Sequence, residues 1–289
     1  MNLVNAVVQG VLLGGLYALL AAGLSLIFGV MRLVNLAHGA FAVTAAYGSL
    51  TLVQHLGWHP LMTLAVVVPV FAAAGFGLQR GVLTRAATRG PLTPLLVTFG
   101  LAVIVESLLL TGFSADSRTL PTGQLSVASV RLTGTVSVGV LPLLTFAVGV
   151  VAVLGLQWFL FRTPAGRLMR ATSDDREAAR IVGADDRRVF ATATAIALGL
   201  VAVAGVFIGM RGTFAPSSGA GVLLFAFETV VIGGLGSLWG TLAGGVLLGV
   251  AQLLGAAIDP AAGVLAGHVV FLVVLAVRPE GLFPKAVIA

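Results

Sequence analysis

Long apolar runs alternate with short polar breaks along the whole of this 289-residue chain. A membrane-spanning helix needs about 20 predominantly apolar residues. Runs of that kind lie near 6–30, 36–54, 60–79, 92–112, 139–161 and 189–210. The chain is then apolar almost without pause from 221 to 258, and again from 263 to 277. The 221–258 run is too long for one helix and is interrupted by "GGLGS", Gly233–Ser237. Two crossings or a re-entrant hairpin both fit it. The pattern predicts an all-α, polytopic membrane helix bundle of about eight segments, give or take one, with a broken or re-entrant helix near 233–237. Residues 1–289 read as a single transmembrane domain.

Several polar residues interrupt the pattern. In "GLSLIFGVMRLVNLAHGAFAV", Gly23–Val43, the residues Arg32, Asn35 and His38 stand between two apolar runs. The leading expectation is a bend joining the first two helices, with Asn35 and Gly39 suited to irregular backbone. The alternative is a bend that re-enters the membrane and exposes Asn35 and His38 to a polar pathway. Glu106 and Glu228 each lie within an apolar run. Ionisable groups at that depth mark pathways, or bond to backbone at a helix break. Glu228 stands five residues before Gly233 and Gly234, where a break frees backbone groups. Gly236, Gly240 and Gly244 recur at a spacing of four, the small-residue pattern of close helix packing.

Composition confirms the class. The chain is 58% hydrophobic and 9% charged, against about 25% charged in soluble domains. Its mean hydropathy is +1.11. The net charge of +6 does not indicate nucleic acid, because the cations sit in short loops between apolar runs. That distribution is an orientation signal. Thirteen of the sixteen Arg and Lys fall on one side: Arg32, Arg80, Arg85, Arg89, the seven arginines from Arg162 to Arg188, Arg278 and Lys285. Arg118, Arg131 and Arg211 fall on the other. The expected topology has the N-terminus outside and the C-terminus cytoplasmic, and it needs an odd number of crossings after residue 211. The first run lacks a basic leader and reads as a retained helix.

Two loops are long. The outer one, 113–138, is rich in Ser, Thr and Gly and is expected to hold little beyond a short strand or turn. The inner one, 162–188, is the strongly charged segment. Within it "TSDDREAARIVG" predicts one short helix, 173–182, capped by Thr172 or Ser173 with Asp175 completing a capping box. Asp174, Asp175 and Glu177 suit the first turn, and Arg180 suits the last. Gly183 suits the left-handed residue just past the end. A helix of that length is marginal alone and needs a surface to dock on.

At this point the chain resembles a known family. "EAARIVG", Glu177–Gly183, is similar to the E-A-A-x-x-x-G core of the cytoplasmic loop in ATP-binding-cassette importer permeases. "GLYALLAAGLSLIFGVMRLVNLAHGAF", Gly15–Phe41, "ETVVIGGLGSLWGTLAGG", Glu228–Gly245, and "RPEGLF", Arg278–Phe283, resemble blocks of the branched-chain amino acid permeases of LivH type. The blocks span nearly the whole chain in the expected order. The resemblance implies a permease subunit of a binding-protein-dependent importer in the bacterial inner membrane, working by alternating access. Its implied partners are a second homologous permease, two cytoplasmic ATPase subunits, an external substrate-binding protein and membrane lipid. ATP and Mg would be bound by the ATPases, with no cofactor in this chain. Asp174, Asp175, Glu177, Ala178, Ala179, Arg180 and Gly183 are then the ATPase-coupling candidates. Asn35, His38, Glu106, Glu228, Gly233 and Gly234 are the pathway candidates. Urea and short-amide importers share these blocks, so the substrate stays open between branched-chain amino acids and amides.

Other classes find less support. The sequence contains no G-x-x-x-x-G-K-[ST], the loop that cradles nucleotide phosphates. Energy must come from separate ATPases or from an ion gradient, and the capped inner helix favours the former. There is no cysteine, and His38, His55, His59 and His268 show no metal-ligand spacing. No nucleophile–base set supports a membrane enzyme.

Overall fold

The computed structural model describes residues 3–90, 92–133, 136–181 and 183–283, with side chains 131–136 left aside. Lys285, counted in the orientation argument, lies outside the described residues. In chain order the elements are α1 (Leu3–Met31), α2 (His38–Leu56), α3 (Pro60–Leu78), a π-helical stretch (Gln79–Leu83), α4 (Thr84–Ala87), α5 (Thr93–Phe113), β1 (Ser129–Thr133), β2 (Val136–Gly139), α6 (Val140–Arg162), α7 (Pro164–Asp174), α8 (Arg176–Ile181), α9 (Asp186–Arg211), α10 (Gly219–Gly233), α11 (Leu238–Ile258) and α12 (Ala262–Val277). Among the described residues seven helices are long and apolar enough to cross a membrane; α2 and the shorter α12 complete the bundle. The apolar run 221–258 is resolved as two antiparallel helices, α10 and α11, joined by a turn at Gly234–Ser237.

Burial separates the helices into centre and periphery. The membrane-length stretches of α1 and α9 are 83% and 72% buried, against 17% for α3–α4 and 11% for α5. A helix apolar on every side belongs in the centre of a bundle, and α1 and α9 are also lined with Gly and Ala, so backbones approach closely. The most extensive seam joins α1 to α11. A Cβ added at Gly14 would stand 2.5 Å from the Cα of Val246, and one at Gly245 would stand 2.6 Å from the Gly14 oxygen. Lipid chains are as apolar as leucine, so close van der Waals packing, rather than water exclusion, holds this seam.

The two ends of the bundle differ. One end collects Met31, Arg162, α7, α8, the start of α9 and the Gly234–Ser237 turn, and it is rich in arginine. The other carries a small antiparallel hairpin, β1–β2, paired from Ser129↔Gly139 to Thr133↔Val136. There Arg118 pairs with Phe214, and the Gln9 amide donates to the Ser137 carbonyl at 2.9 Å. The expectation of a short strand in the 113–138 loop fits this hairpin.

The Arg32–His38 stretch does not form a simple bend at the bundle's end. Arg32 takes a positive φ of 54°, and the chain turns back between the helices. The Leu36 N–H donates to Thr98 Oγ1 on α5 (3.1 Å), and the Ala37 N–H to Asn35 Oδ1 (3.0 Å). His38 Nε2 then donates to the Leu20 carbonyl at 2.8 Å, near the middle of α1. Thus α2 starts halfway along the bundle. The expected turn between two full helices is corrected to a re-entrant non-helical segment. Such backbone is tolerated inside a bundle because side chains replace the missing helical partners.

Candidate functional site

The charged loop holds two helices, not one. Thr163 caps α7 by accepting from the Gly166 N–H at 3.0 Å, and Pro164 fills the first position. Thr172 lies inside α7 with its hydroxyl on the Leu168 carbonyl, so it cannot cap a second helix. Ser173 is also inside α7 and donates to Gly29 O of α1 at 2.5 Å. The expected cap at Thr172 or Ser173 is therefore corrected to Asp175, whose Oδ1 accepts from the Glu177 and Ala178 N–H groups, both at 2.9 Å. Asp174 ends α7 rather than opening the next helix. Of the expected helix 173–182, six residues remain as α8. Gly183 has a φ of +91° and donates to the Arg180 carbonyl at 3.0 Å, matching the expected left-handed stop.

So short a helix is held by its neighbours. Asp186, at the start of α9, accepts from Arg176 Nε at 2.7 Å and from Arg180 Nη2 at 2.7 Å. Arg176 Nη2 also reaches it, and the Arg176 guanidinium lies 5.0 Å from the Phe190 ring centroid. Both arginines are about half exposed, so each pair alone contributes little stability. Together they fix α8 to the end of the buried helix α9. Ala179 faces inward at 3% exposure, while Glu177, Ala178 and Arg180 are exposed and Ile181 is 86% exposed. The loop thus presents a small rigid surface tied to the bundle core.

The pathway candidates do not form one group. His38 is fully buried and Asn35 nearly so; both serve the re-entrant segment. Gly233 and Gly234 close α10, with Gly234 at φ +106°. Backbone groups at this end of α10 meet the chain after α12: Leu282 N–H donates to Ile232 O and Phe283 N–H to Gly233 O. Gly240 and Gly244 pack against α10 as small residues should, but Gly236 sits in the turn with φ +80° and belongs to no helical stripe.

The two carboxylates differ. Glu228 on α10 is buried and lies 2.5 Å from His268 Nδ1 of α12. Glu106 is partly exposed on α5, the least buried of the membrane-length helices. α5 packs on the Pro216–Ser218 turn that leads into α10, and α10 packs on α12. Gly219, the first residue of α10, lies against Ala40, so α10 also starts within the bundle. Ser217, Ala220, Gly221 and Leu224 are exposed there. Glu106 thus lies on α5, Ser217 on the turn that α5 packs against, and the Glu228–His268 pair joins α10 to α12. Irregular backbone at this depth is tolerated where it is buried or lines a water-filled cavity.

Sequence reasoning missed several residues. Arg176 and Asp186 escaped because an ion pair across ten positions has no local signature. His268 escaped because its partner is on another helix. The α7 helix did have a signal, Thr163-Pro164, the usual cap followed by proline at the first turn.

Comparison with known proteins extends over almost the whole molecule. A family profile described as the permease component of the branched-chain amino acid transport system matches residues 6–277. The high-affinity branched-chain amino acid transport system permease protein BraD of Pseudomonas aeruginosa is 30% identical, with 96% of this chain and 94% of that protein covered. LivH of Escherichia coli K12, a permease protein of the same description, is 28% identical over the same shares. LivM of that organism is 28% identical, covering 93% of this chain and 68% of LivM. Among solved structures, PsaBC from Streptococcus pneumoniae in complex with Fab superposes with a TM-score of 0.51 at 15% identity, covering 97% of this chain and 93% of that one. That likeness concerns the fold alone.

Proposed function

The chain belongs to the branched-chain amino acid transport system permease family, and from that premise we propose that it is the permease subunit of an ATP-driven importer for branched-chain amino acids. The family match over residues 6–277 carries this reading. Likeness to both LivH and LivM supports a bundle completed by a second, homologous permease. Two cytoplasmic ATPases supply the energy, binding ATP and Mg themselves, and an external binding protein delivers substrate. The arginine-rich end faces the cytoplasm of the bacterial inner membrane and the hairpin end faces outward, as the distribution of Arg favours.

In this reading α8 is the coupling element. Glu177, Ala178, Arg180 and Ile181 meet the ATPase, Asp174 ends the preceding helix, Asp175 caps the start of α8, and Ala179 and Gly183 set its seat and its end. Motion of the ATPases passes through the Asp186 ion pairs into α9. Substrate moves along the α5–α10–α12 flank, closed on its far side by the partner permease. Glu106 supplies a carboxylate for the substrate ammonium, and the apolar surface around it suits an aliphatic side chain. Asn35, His38, Gly233 and Gly234 support this path by shaping backbone rather than by touching substrate.

Uptake of radiolabelled leucine into proteoliposomes holding the assembled complex tests the proposal. Uptake should need the binding protein and internal ATP. Glu106→Gln should lower the rate about tenfold or more, the scale of one lost charge-assisted contact, while the complex still assembles. Uptake that persists without ATPase subunits and collapses with an ionophore would overturn it.

A further inference from the structure

The block "RPEGLF", Arg278–Phe283, takes no part in the route proposed above. Pro279 stops α12 from continuing, and the chain then folds back onto the bundle. The Gly281 N–H donates to the Arg278 carbonyl at 2.9 Å, with Gly281 at a φ of +84°. Leu282 N–H then donates to the Ile232 carbonyl at 2.9 Å, and Phe283 N–H to the Gly233 carbonyl at 3.0 Å. These are two of the final carbonyls of α10, groups that a helix end leaves without intrahelical partners. The Leu282 side chain joins the apolar cluster around Ile232, with Phe225 of α10 and with Phe271 and Val274 of α12. Backbone meets backbone where the segment reaches α10. A Cβ on Gly234 would stand 2.6 Å from the Phe283 oxygen, and one on Gly281 would collide with the Gly234 backbone. The segment is thus a strap joining the end of α12 to the end of α10.

A second contact reaches the same end of α10. In the turn that follows it, the Ser237 N–H donates to the Gly234 carbonyl at 3.0 Å. Gly236 of this turn lies against Gly29 near the end of α1, where a Cβ on Gly236 would stand 3.0 Å from the Gly29 Cα. The Gly29 carbonyl accepts from Ser173 Oγ of α7 at 2.5 Å. Ser173 stands two residues before Asp175, the cap of α8. A short line of contacts therefore runs from the α7–α8 junction, through the backbone of α1, to the α10–α11 turn and the strap. It consists of glycine backbone and one hydroxyl, with no long side chain to flex. Close-packed groups of this kind transmit a displacement rather than absorb it. Further along α10, Glu228 bonds to His268 of α12, a pair that would break if the two helices parted.

We propose that the Arg278–Phe283 strap makes α10 and α12 one moving body, and that Ser173 is a positioning residue carrying motion of the α7–α8 surface into it. This rests on the coupling role proposed for that surface and adds a route separate from the Asp186 ion pairs. The test uses the assembled permease complex in proteoliposomes, read as leucine taken up per ATP hydrolysed. Ser173→Ala removes the hydroxyl that holds Gly29 and should lower that ratio about fivefold, the scale of one hydrogen bond. Gly281→Ala, which sets a Cβ against Gly234, should lower it likewise. A lower yield or Tm with a normal ratio in the surviving complex would mark both residues as merely structural and overturn the proposal. The chain contains no cysteine, so the double variant Ile232→Cys, Leu282→Cys gives one defined thiol pair within it. Oxidation should join the pair and leave uptake running, because strap and α10 travel together. Uptake that stops on oxidation and returns with reductant would show that they part during the cycle, and would overturn the proposal. So would failure of the disulfide to form. Should Gly281→Ala fail to assemble, the oxidised pair and Ser173→Ala decide. A normal ratio in Ser173→Ala beside a low one in Asp186→Asn would sink this route and keep the role of α8. Normal ratios in both would sink the role of α8 itself.

Discussion

Tyr17 on α1 donates to Gln252 Oε1 on α11 at 2.5 Å, and its ring centroid lies 5.3 Å from that of Phe225 on α10. Phe225 in turn lies nearly parallel to His268, the partner of Glu228. One chain of side chains therefore ties together four helices that share little else but apolar contact. Removing the hydroxyl in Tyr17→Phe strands the Gln252 carbonyl oxygen, at a cost of about 1–3 kcal/mol for a buried polar group. The expected readout is a lower apparent Tm of the purified complex with a normal elution profile. The glycine seam tolerates less. At Gly14 even one added carbon meets backbone at 2.5 Å, and backbone cannot rotate aside. Gly14→Val should drive α1 from α11 and abolish recovery of assembled protein in mild detergent, whereas a substitution at Gly155, with open space around it, should leave recovery unchanged.

Among the elements, α8 depends on its neighbours for its existence, and the proposed function gives it the coupling role. A six-residue helix is too short to persist alone, so its cap and its ion pairs decide whether it exists. Asp175→Ala removes the side chain that accepts from two N–H groups, a loss of about 1 kcal/mol of local helix stability. Asp186→Asn weakens the hold on both Arg176 and Arg180. Each variant should insert and assemble normally, yet hydrolyse ATP without matched leucine uptake. The ratio of the two rates, measured in one proteoliposome preparation, gives the answer. Gly183→Val should act in the same way, because a β-branched residue resists the positive φ found there. A variant with a normal ratio would remove α8 from the coupling role. The sequence disclosed this helix but misplaced its start: Thr172 and Ser173 are good caps by type, and only the continuation of α7 through them makes Asp175 the cap.

At the scale of the whole molecule, orientation is open to a direct check. The chain contains no cysteine, so a single introduced thiol is an unambiguous reporter. Cysteine at Gln124, an exposed position beside the hairpin end, should react with an impermeant maleimide in intact spheroplasts. Cysteine at Glu177, on α8, should react only after the membrane is opened. The reverse pattern would invert the topology and remove α8 from the reach of cytoplasmic ATPases.

Length and apolarity of the runs, together with the placement of thirteen cations on one side, already determined a polytopic helical bundle and its expected orientation. These properties follow from the solvent, since lipid demands long apolar helices with internally satisfied backbone and arginine marks the side it remains on. The two-helix nature of 221–258 was within that reach, because no single span needs so many residues. What only the tertiary structure decided was which polar residue meets which. His38 reads as a break in a hydrophobic run, but its meaning depends on the Leu20 carbonyl of another helix. Glu228 takes its environment from His268, forty positions away. Asp186 looks like one more acid in a charged loop until folding brings Arg176 and Arg180 to it. A sequence records which groups must be satisfied, and packing selects the partners that satisfy them.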